Sequence, residues 1–383
     1  MHLTDPGAVA MDPSRLARIH EHLQQRYLAP GRIPGYLALV SRRDRVCYLD
    51  YAGFADRERA TPVAADSLFR IYSMTKPVVS LALMMLWERG LFALDDPVAR
   101  YLPPFRNLRV RSGGAWPLFE TRPCERPMRV RDLLMHTSGL TYDFLRESNL
   151  DYAYRKLQVG NARPGYTLED MVAQLAELPL EFSPGERWNY SLATDVAGHL
   201  VEVLSGRPLP DFLQQEVFDP LGMVDTTFNV RDDQLPRFSS CYRREPDKTV
   251  ALHDDGQASA FRDRTFFSGG GGLLSTAGDY LRFCRMLLAG GALDGRRIIG
   301  SRTLALMTRN HLPDGGDLTQ WASGGFSETS YAGVGFGLGF ACKVDPVANG
   351  YPAPAGTFYW GGLASTLFWV DPAEGLIVLF FTQ

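Results

Sequence analysis

Ser73 and Lys76 stand three residues apart in Phe69-Arg-Ile-Tyr-Ser73-Met-Thr-Lys76-Pro77, at the start of an apolar run. On a helix, positions i and i+3 share a face, so the Lys76 amine can reach the Ser73 hydroxyl. A serine hydroxyl becomes an effective nucleophile when a base takes its proton. A lysine serves as that base where burial or a neighbouring cation lowers its pKa toward neutrality. A helix N-terminus at the same place adds free N–H groups and a positive dipole end, both favouring negative charge at Ser73. Pro77 forfeits one early helix hydrogen bond, which confines the motif to the first turn or distorts it slightly.

Two further stretches carry candidate chemistry. Tyr190 lies in Glu186-Arg-Trp188-Asn189-Tyr190-Ser191-Leu192, between a Pro184-Gly185 turn and a helix expected from about Ala193. Near a lysine its phenol suits a proton shuttle; away from one it is a ring packed in the core. Phe358-Tyr359-Trp360-Gly361-Gly362-Leu363 puts two glycines into a strand, where another backbone or a ligand can approach closely. A strand edge beside Ser73 offers a backbone N–H to an oxyanion, although a plain bulge gives the same pattern.

The elements that must hold these residues are readable at moderate detail. Asp12-Pro13 reads as an N-cap and a first-turn proline, opening a helix through about Tyr27. Gly35–Ser41 and Val46–Tyr51 read as an antiparallel hairpin around a charged turn, Arg42–Arg45. A helix is expected from about Met74 to Arg89, ended by Gly90. Helices are expected over Thr167–Leu178 and Ala193–Leu204, separated by long connections of the kind that build binding sites. Thr276-Ala-Gly-Asp279 is a capping-box pattern before another helix. Phe336–Val344, Gly356–Gly361, Ser365–Val370 and Leu376–Phe381 are strand-like, with a turn over Asp371–Gly375. Strands at both ends imply one sheet closed by N- and C-terminal segments. The expected division is an α/β domain from residues 1–92 and 266–383, a mainly helical domain from 93–265, and an active site in the cleft between them.

Composition excludes several function classes. A net charge of −3 with no basic stripe argues against nucleic-acid binding. No apolar run approaches the roughly 20 residues of a membrane span, and the N-terminus does not read as a signal peptide. Five scattered cysteines without a C-x-x-C pair fit reduced thiols in a cytoplasm. No metal-ligand spacing is present, His20 and His22 do not share a helix face, and neither metal nor cofactor is expected. No Gly-x-Ser-x-Gly occurs, so an α/β-hydrolase nucleophile elbow is not indicated.

Taken in order, Ser73-x-x-Lys76, Tyr190-Ser191 behind Trp188, and Trp360-Gly361-Gly362 make the chain resemble the family VIII carboxylesterases, which share the fold of class C β-lactamases and DD-peptidases. Leu133-Leu-Met-His136-Thr-Ser-Gly-Leu140, Pro220-Leu-Gly-Met223 and Gly270-Gly-Gly-Leu-Leu-Ser275 extend the resemblance over nearly the whole chain. It implies an α+β, serine β-lactamase-like fold: an antiparallel sheet with flanking helices and a mainly helical lobe. It also implies that Ser73 is acylated, that Lys76 helps deprotonate it, and that Tyr190 relays protons to the leaving alcohol and from the deacylating water. The oxyanion hole is then the backbone N–H groups of Ser73 and Leu363. Tyr142, Gly361 and Gly362 line the substrate pocket, Trp360 stands at the cleft edge, and His136 is a structural hydrogen-bonding residue.

Departures from the β-lactamase pattern bear on substrate. Trp360-Gly361-Gly362 stands in place of Lys-Thr-Gly, and Tyr190-Ser191-Leu192 in place of Tyr-x-Asn. Loss of that cation and that amide donor favours neutral, apolar acyl esters, because an unpaired buried carboxylate is costly. Members of the family continue past the last strand into a helix on the sheet, whereas this sequence stops at Phe381-Thr-Gln383; either the chain is a shortened form or another element covers that face. The leading expectation is a carboxylesterase for short-chain acyl esters, acting on a small-molecule substrate. A β-lactamase or D-aminopeptidase, an acyltransferase using the same site, and a non-catalytic ligand-binding module remain alternatives.

Overall fold

The computed structural model describes residues 2–324 and 329–383. Its main sheet has eight antiparallel strands: β1 (Gly35–Arg42), β2 (Arg45–Asp56), β3 (Thr61–Pro62), β4 (Val334–Phe336), β5 (Ala341–Lys343), β6 (Phe358–Gly362), β7 (Thr366–Asp371) and β8 (Leu376–Phe381). Their spatial order is β4-β5-β6-β7-β8-β1-β2-β3. β1 is buried from Gly35 to Ser41, as its unbroken apolar run requires of an interior strand. In β8 the inward residues Ile377, Leu379 and Phe381 are buried, while their alternate neighbours are half-buried on the other face. β8 sits between β7 and β1, with Ala38 opposite Phe380 and Leu39 opposite Leu379. The two ends of the chain therefore close one sheet, as expected.

The β1–β2 turn uses Arg43 and Asp44, both with positive φ (51° and 63°), the twist a tight hairpin demands. One expectation needs correction. Phe336–Val344 is not a single strand but the hairpin of β4 and β5. A tight turn at residues 337–340, closed by the Gly337 N–H donating to the Phe340 carbonyl at 2.8 Å, interrupts it.

Five helices carry the argument: α1 (Pro13–Leu23), α2 (Thr75–Glu88), α3 (Leu168–Ala176), α4 (Ala193–Ser205) and α5 (Ala277–Leu288). Asp12 caps α1 by accepting from the Ser14 N–H, and wider turns continue it to Leu28. The Thr276 hydroxyl accepts from the Asp279 N–H at the start of α5. Every residue of α2 from Thr75 to Leu86 is buried. A helix apolar on all sides has no solvent face and belongs in the middle of a domain. α2 lies there, packed against α4, while α5 packs on β7 and β8.

The middle of the chain is helical with two hairpins of its own, Arg109–Ala115 with Leu118–Pro123 and Cys241–Arg244 with Val250–Asp254. One contiguous apolar cluster joins this segment to the sheet, from Leu37 and Leu379 through Val79 and Leu83 to Leu200 and Phe212. Among the described residues no helix is long and apolar enough to cross a membrane.

Candidate active site

Ser73 lies in a single tight turn, Tyr72–Met74, that leads directly into α2. Tyr72, just before it, has a positive φ of 40°, a region non-glycine residues rarely enter. Pro77 falls in the first turn of α2, where the N–H it lacks would have had no partner in the helix. Ser73 is 8% exposed, Lys76 2% and Tyr190 1%, so the three polar groups meet almost out of water.

They converge on one atom. Lys76 Nζ donates to Ser73 Oγ at 3.3 Å, and the Tyr190 hydroxyl donates to it at 2.6 Å. Lys76 Nζ also donates to the Gly270 carbonyl at 2.7 Å and lies 4.5 Å from the Tyr190 ring centre. Tyr190 is held by its own backbone neighbours. The Asn189 N–H donates to the His136 carbonyl, the Leu192 N–H to the Thr141 carbonyl, and Asn189 Nδ2 to the Leu140 carbonyl. Residues 136–141 thus form a cradle for residues 189–192. The Tyr190 ring packs against His136, Tyr142 and Trp360, with centres 5.0, 5.3 and 5.5 Å away.

His136 Nδ1 shares a hydrogen bond with Ser191 Oγ at 3.1 Å. Burial, with the Lys76 charge second, holds the His136 pKa well below the usual imidazole range. The ring is therefore neutral at pH 7 and acts in packing and hydrogen bonding, as the sequence suggested. Trp360 is placed differently from expectation. It is 1% exposed and lies behind Tyr190, with Nε1 3.4 Å from the phenol oxygen, not at the cleft edge. Strand alternation explains this: Trp360 shares the inward face of β6 with buried Phe358.

Ser73 opens into a cavity of about 260 Å³, also lined by Tyr142, Leu192, Gly270 and Leu363. Gly361 and Gly362, expected to line the pocket, are buried in β6 and lie outside that lining; the wall begins at Leu363, in the turn after the strand. Gly362 instead lets β6 press on the chain leading to Ser73. A Cβ there would lie 2.5 Å from the Ile71 carbonyl oxygen. Ser73 and Leu363, the pair expected to supply oxyanion N–H groups, thus border the same space.

Sequence reasoning missed Asp195, in the first turn of α4. Its Oδ1 accepts from the Ser268 hydroxyl and from the Gly270 N–H at 3.0 Å, which fixes the peptide whose carbonyl faces Lys76. A Cβ on Gly270 would lie 2.4 Å from Asp195 Oδ2 and 2.9 Å from the Tyr142 hydroxyl, so this contact requires glycine. Burial pushes the Asp195 carboxyl above its ordinary range; the Lys76 charge and the two hydrogen bonds oppose that shift. Among the described residues, the buried Asp195 Oδ2 has no hydrogen-bond partner. The glycine run 269–272 was visible in the sequence, but the carboxylate behind it was not. Among the described residues no cluster of three His, Cys, Asp or Glu side chains is arranged to hold a metal.

Protein Rv1367c of Mycobacterium tuberculosis is 36% identical over 92% of this chain and 86% of its own length. Esterase EstB of Burkholderia gladioli is 34% identical over 99% of this chain and 93% of its own. The solved structure of EstCE1, described as a hydrolase with promiscuous acyltransferase activity, superposes with a TM-score of 0.79 at 29% identity, covering 96% of this chain and 93% of that one. The family described as Beta-lactamase matches residues 20–383, a span that includes the Ser73 turn, the Tyr190 cradle and the β6 strand. By sequence and by fold, the chain belongs to the beta-lactamase family.

Proposed function

We propose that this protein is a serine carboxylesterase that hydrolyses short-chain acyl esters through an acyl-enzyme on Ser73. The observation that carries the reading is the meeting of two proton-bearing groups, Lys76 Nζ and the Tyr190 hydroxyl, on one serine oxygen beside a cavity. The family relationship to Esterase EstB supports it.

In the forward step the pair, with either the Lys76 amine or the Tyr190 phenol deprotonated, takes the Ser73 proton as Oγ bonds to the ester carbonyl carbon. The developing oxyanion takes hydrogen bonds from the backbone N–H groups of Ser73 and Leu363. Collapse expels the alcohol, which leaves with the proton from the pair, and the acyl group stays on Oγ. Water then gives its proton to the same pair, attacks the acyl carbon and frees the acid, and Ser73 recovers a proton. Because Lys76 Nζ sits against the Tyr190 ring, the proton moves within one buried cluster and charge does not spread into the core. Trp360, with its indole N–H toward the Tyr190 oxygen, acts through that tyrosine.

The replacement of the β-lactamase lysine by Trp360 favours esters over β-lactams. A panel of p-nitrophenyl esters of increasing acyl length, run beside a chromogenic cephalosporin, tests this. Ester turnover falling with chain length and exceeding cephalosporin turnover by orders of magnitude is expected. A fluorophosphonate should label Ser73 and fail to label Ser73→Ala, as read by mass spectrometry. Comparable cephalosporin turnover would replace the esterase reading with a β-lactamase one, and folded protein unlabelled at Ser73 would favour a binding module.

A further inference from the structure

Arg264 lines the same cavity as Ser73, on the wall that also carries Phe266 and Tyr72. Its surroundings are unusual for an arginine. Its Nε is buried without an acceptor, and among the described residues its guanidinium makes no hydrogen bond or ion pair. The guanidinium carbon lies 3.1 Å from the centre of the Phe261 ring, so the group is stacked in place. The backbone is clamped as well: the Arg264 N–H donates to Asn229 Oδ1 at 3.1 Å, and Asn229 Nδ2 donates to the Arg264 carbonyl at 3.2 Å. A stacked and clamped guanidinium holds its direction.

The nearby carboxylate is committed elsewhere. Asp254 pairs with the fully buried Arg70 at 2.6 Å and accepts from Ser259 at 2.8 Å. Arg70 adds a second positive charge to the neighbourhood, and burial with that repulsion lowers the Arg264 pKa to about 10, leaving the group charged at neutral pH. Of the cavity's two acids, Asp195 is engaged through Oδ1 only, its Oδ2 having no hydrogen-bond partner among the described residues. Asp195 faces the Lys76 charge and the Gly270 peptide, and Asp143 accepts from Asn161 Nδ2 at 3.3 Å. Buried polar groups are normally satisfied, and a fixed guanidinium presents paired N–H donors matched to a carboxylate.

We propose that Arg264 is an anion seat in the Ser73 cleft, and that the preferred substrates are esters carrying a free carboxylate, such as half-esters of short dicarboxylic acids. This rests on the esterase reading and revises its substrate class, since loss of the family's lysine had pointed to neutral esters. The carboxylate can belong to the acyl part or to the alcohol part.

The test uses two matched pairs with the full chain. Monomethyl glutarate against dimethyl glutarate probes the acyl side, and 4-acetoxybenzoate against its methyl ester probes the alcohol side. In at least one pair the carboxylate should raise kcat/KM by about 10- to 100-fold, mainly through KM and less so at high salt. The pair that responds identifies the side. Arg264→Met should bring that ratio close to one, and Arg264→Lys should keep part of it; a thermal melt of each variant confirms folding. Turnover of the capped esters with no preference for the charged ones, or a preference that survives Arg264→Met, overturns the anion seat alone. Turnover of none of the four overturns the esterase reading and this one together.

Discussion

On the Tyr190 side of Ser73, the working polar groups end on partners inside the protein: Lys76 on Ser73 and Gly270, Tyr190 on Ser73, His136 on Ser191. Elsewhere on the same cavity, Arg264 Nε is buried and has no acceptor among the described residues. The first wall is complete before any ligand arrives, as a group that must move protons at a fixed distance has to be. The second wall leaves hydrogen-bonding capacity open, and such capacity is where a ligand gains selectivity. On the proposed reading, the two walls divide the labour of one cleft between chemistry and recognition.

Substitutions sharpen or break that division. Tyr190→Phe should have the largest effect, lowering kcat by about 10³-fold with little change in KM, because a proton relay is lost and packing is kept. A loss carried in KM instead would move Tyr190 to the recognition side. Steady-state kinetics with a p-nitrophenyl ester decide it.

His136 gives a pH-dependent test of how closed the first wall is. Its folded pKa is depressed, so the unfolded chain binds a proton that the folded chain refuses. Stability should be intact above the ordinary value near 6.5 and fall as pH drops toward the folded pKa, by about 1.4 kcal/mol per pH unit. His311, also depressed by burial, adds a contribution of the same sign. Denaturant melts between pH 7.5 and pH 5 should lose the His136 part of that slope in His136→Gln. An unchanged slope would mean that water reaches the ring.

Asp195→Asn probes the support behind the Gly270 peptide and should have the smallest effect. The raised carboxyl pKa means that its ionisation opposes folding as pH rises from the unfolded value of 3.8 through the folded one. The amide should therefore add stability at pH 8 and none below pH 3.8. Turnover should fall by about 10-fold as the Gly270 peptide loosens near Lys76. Stability gained without a fall in rate would separate Asp195 from the chemistry.

What the sequence made legible follows from range. Ser73 and Lys76 could be paired because three residues on a helix fix a distance. The β8 strand could be read because its apolar run is local. Tyr190 is 117 positions from Ser73, and its arrival there was implied only by the resemblance to a family. Trp360 was misplaced at the cleft edge, although strand alternation alone put it on one of two faces and only packing chose between them. Arg264 was illegible for a different reason: what marks it is an Nε without an acceptor among the described residues, and no spacing rule encodes an absence.

The position of β8 has a consequence for how the protein is made. Residues 376–381 pair with β1, more than 330 positions away in the chain, Ala38 facing Phe380. The strands that carry β6 against the Ser73 turn are joined to β1 only through β8. Such long-range closure is slow to nucleate. Joining of the two sheet halves thus governs when the Ser73 turn and β6 meet.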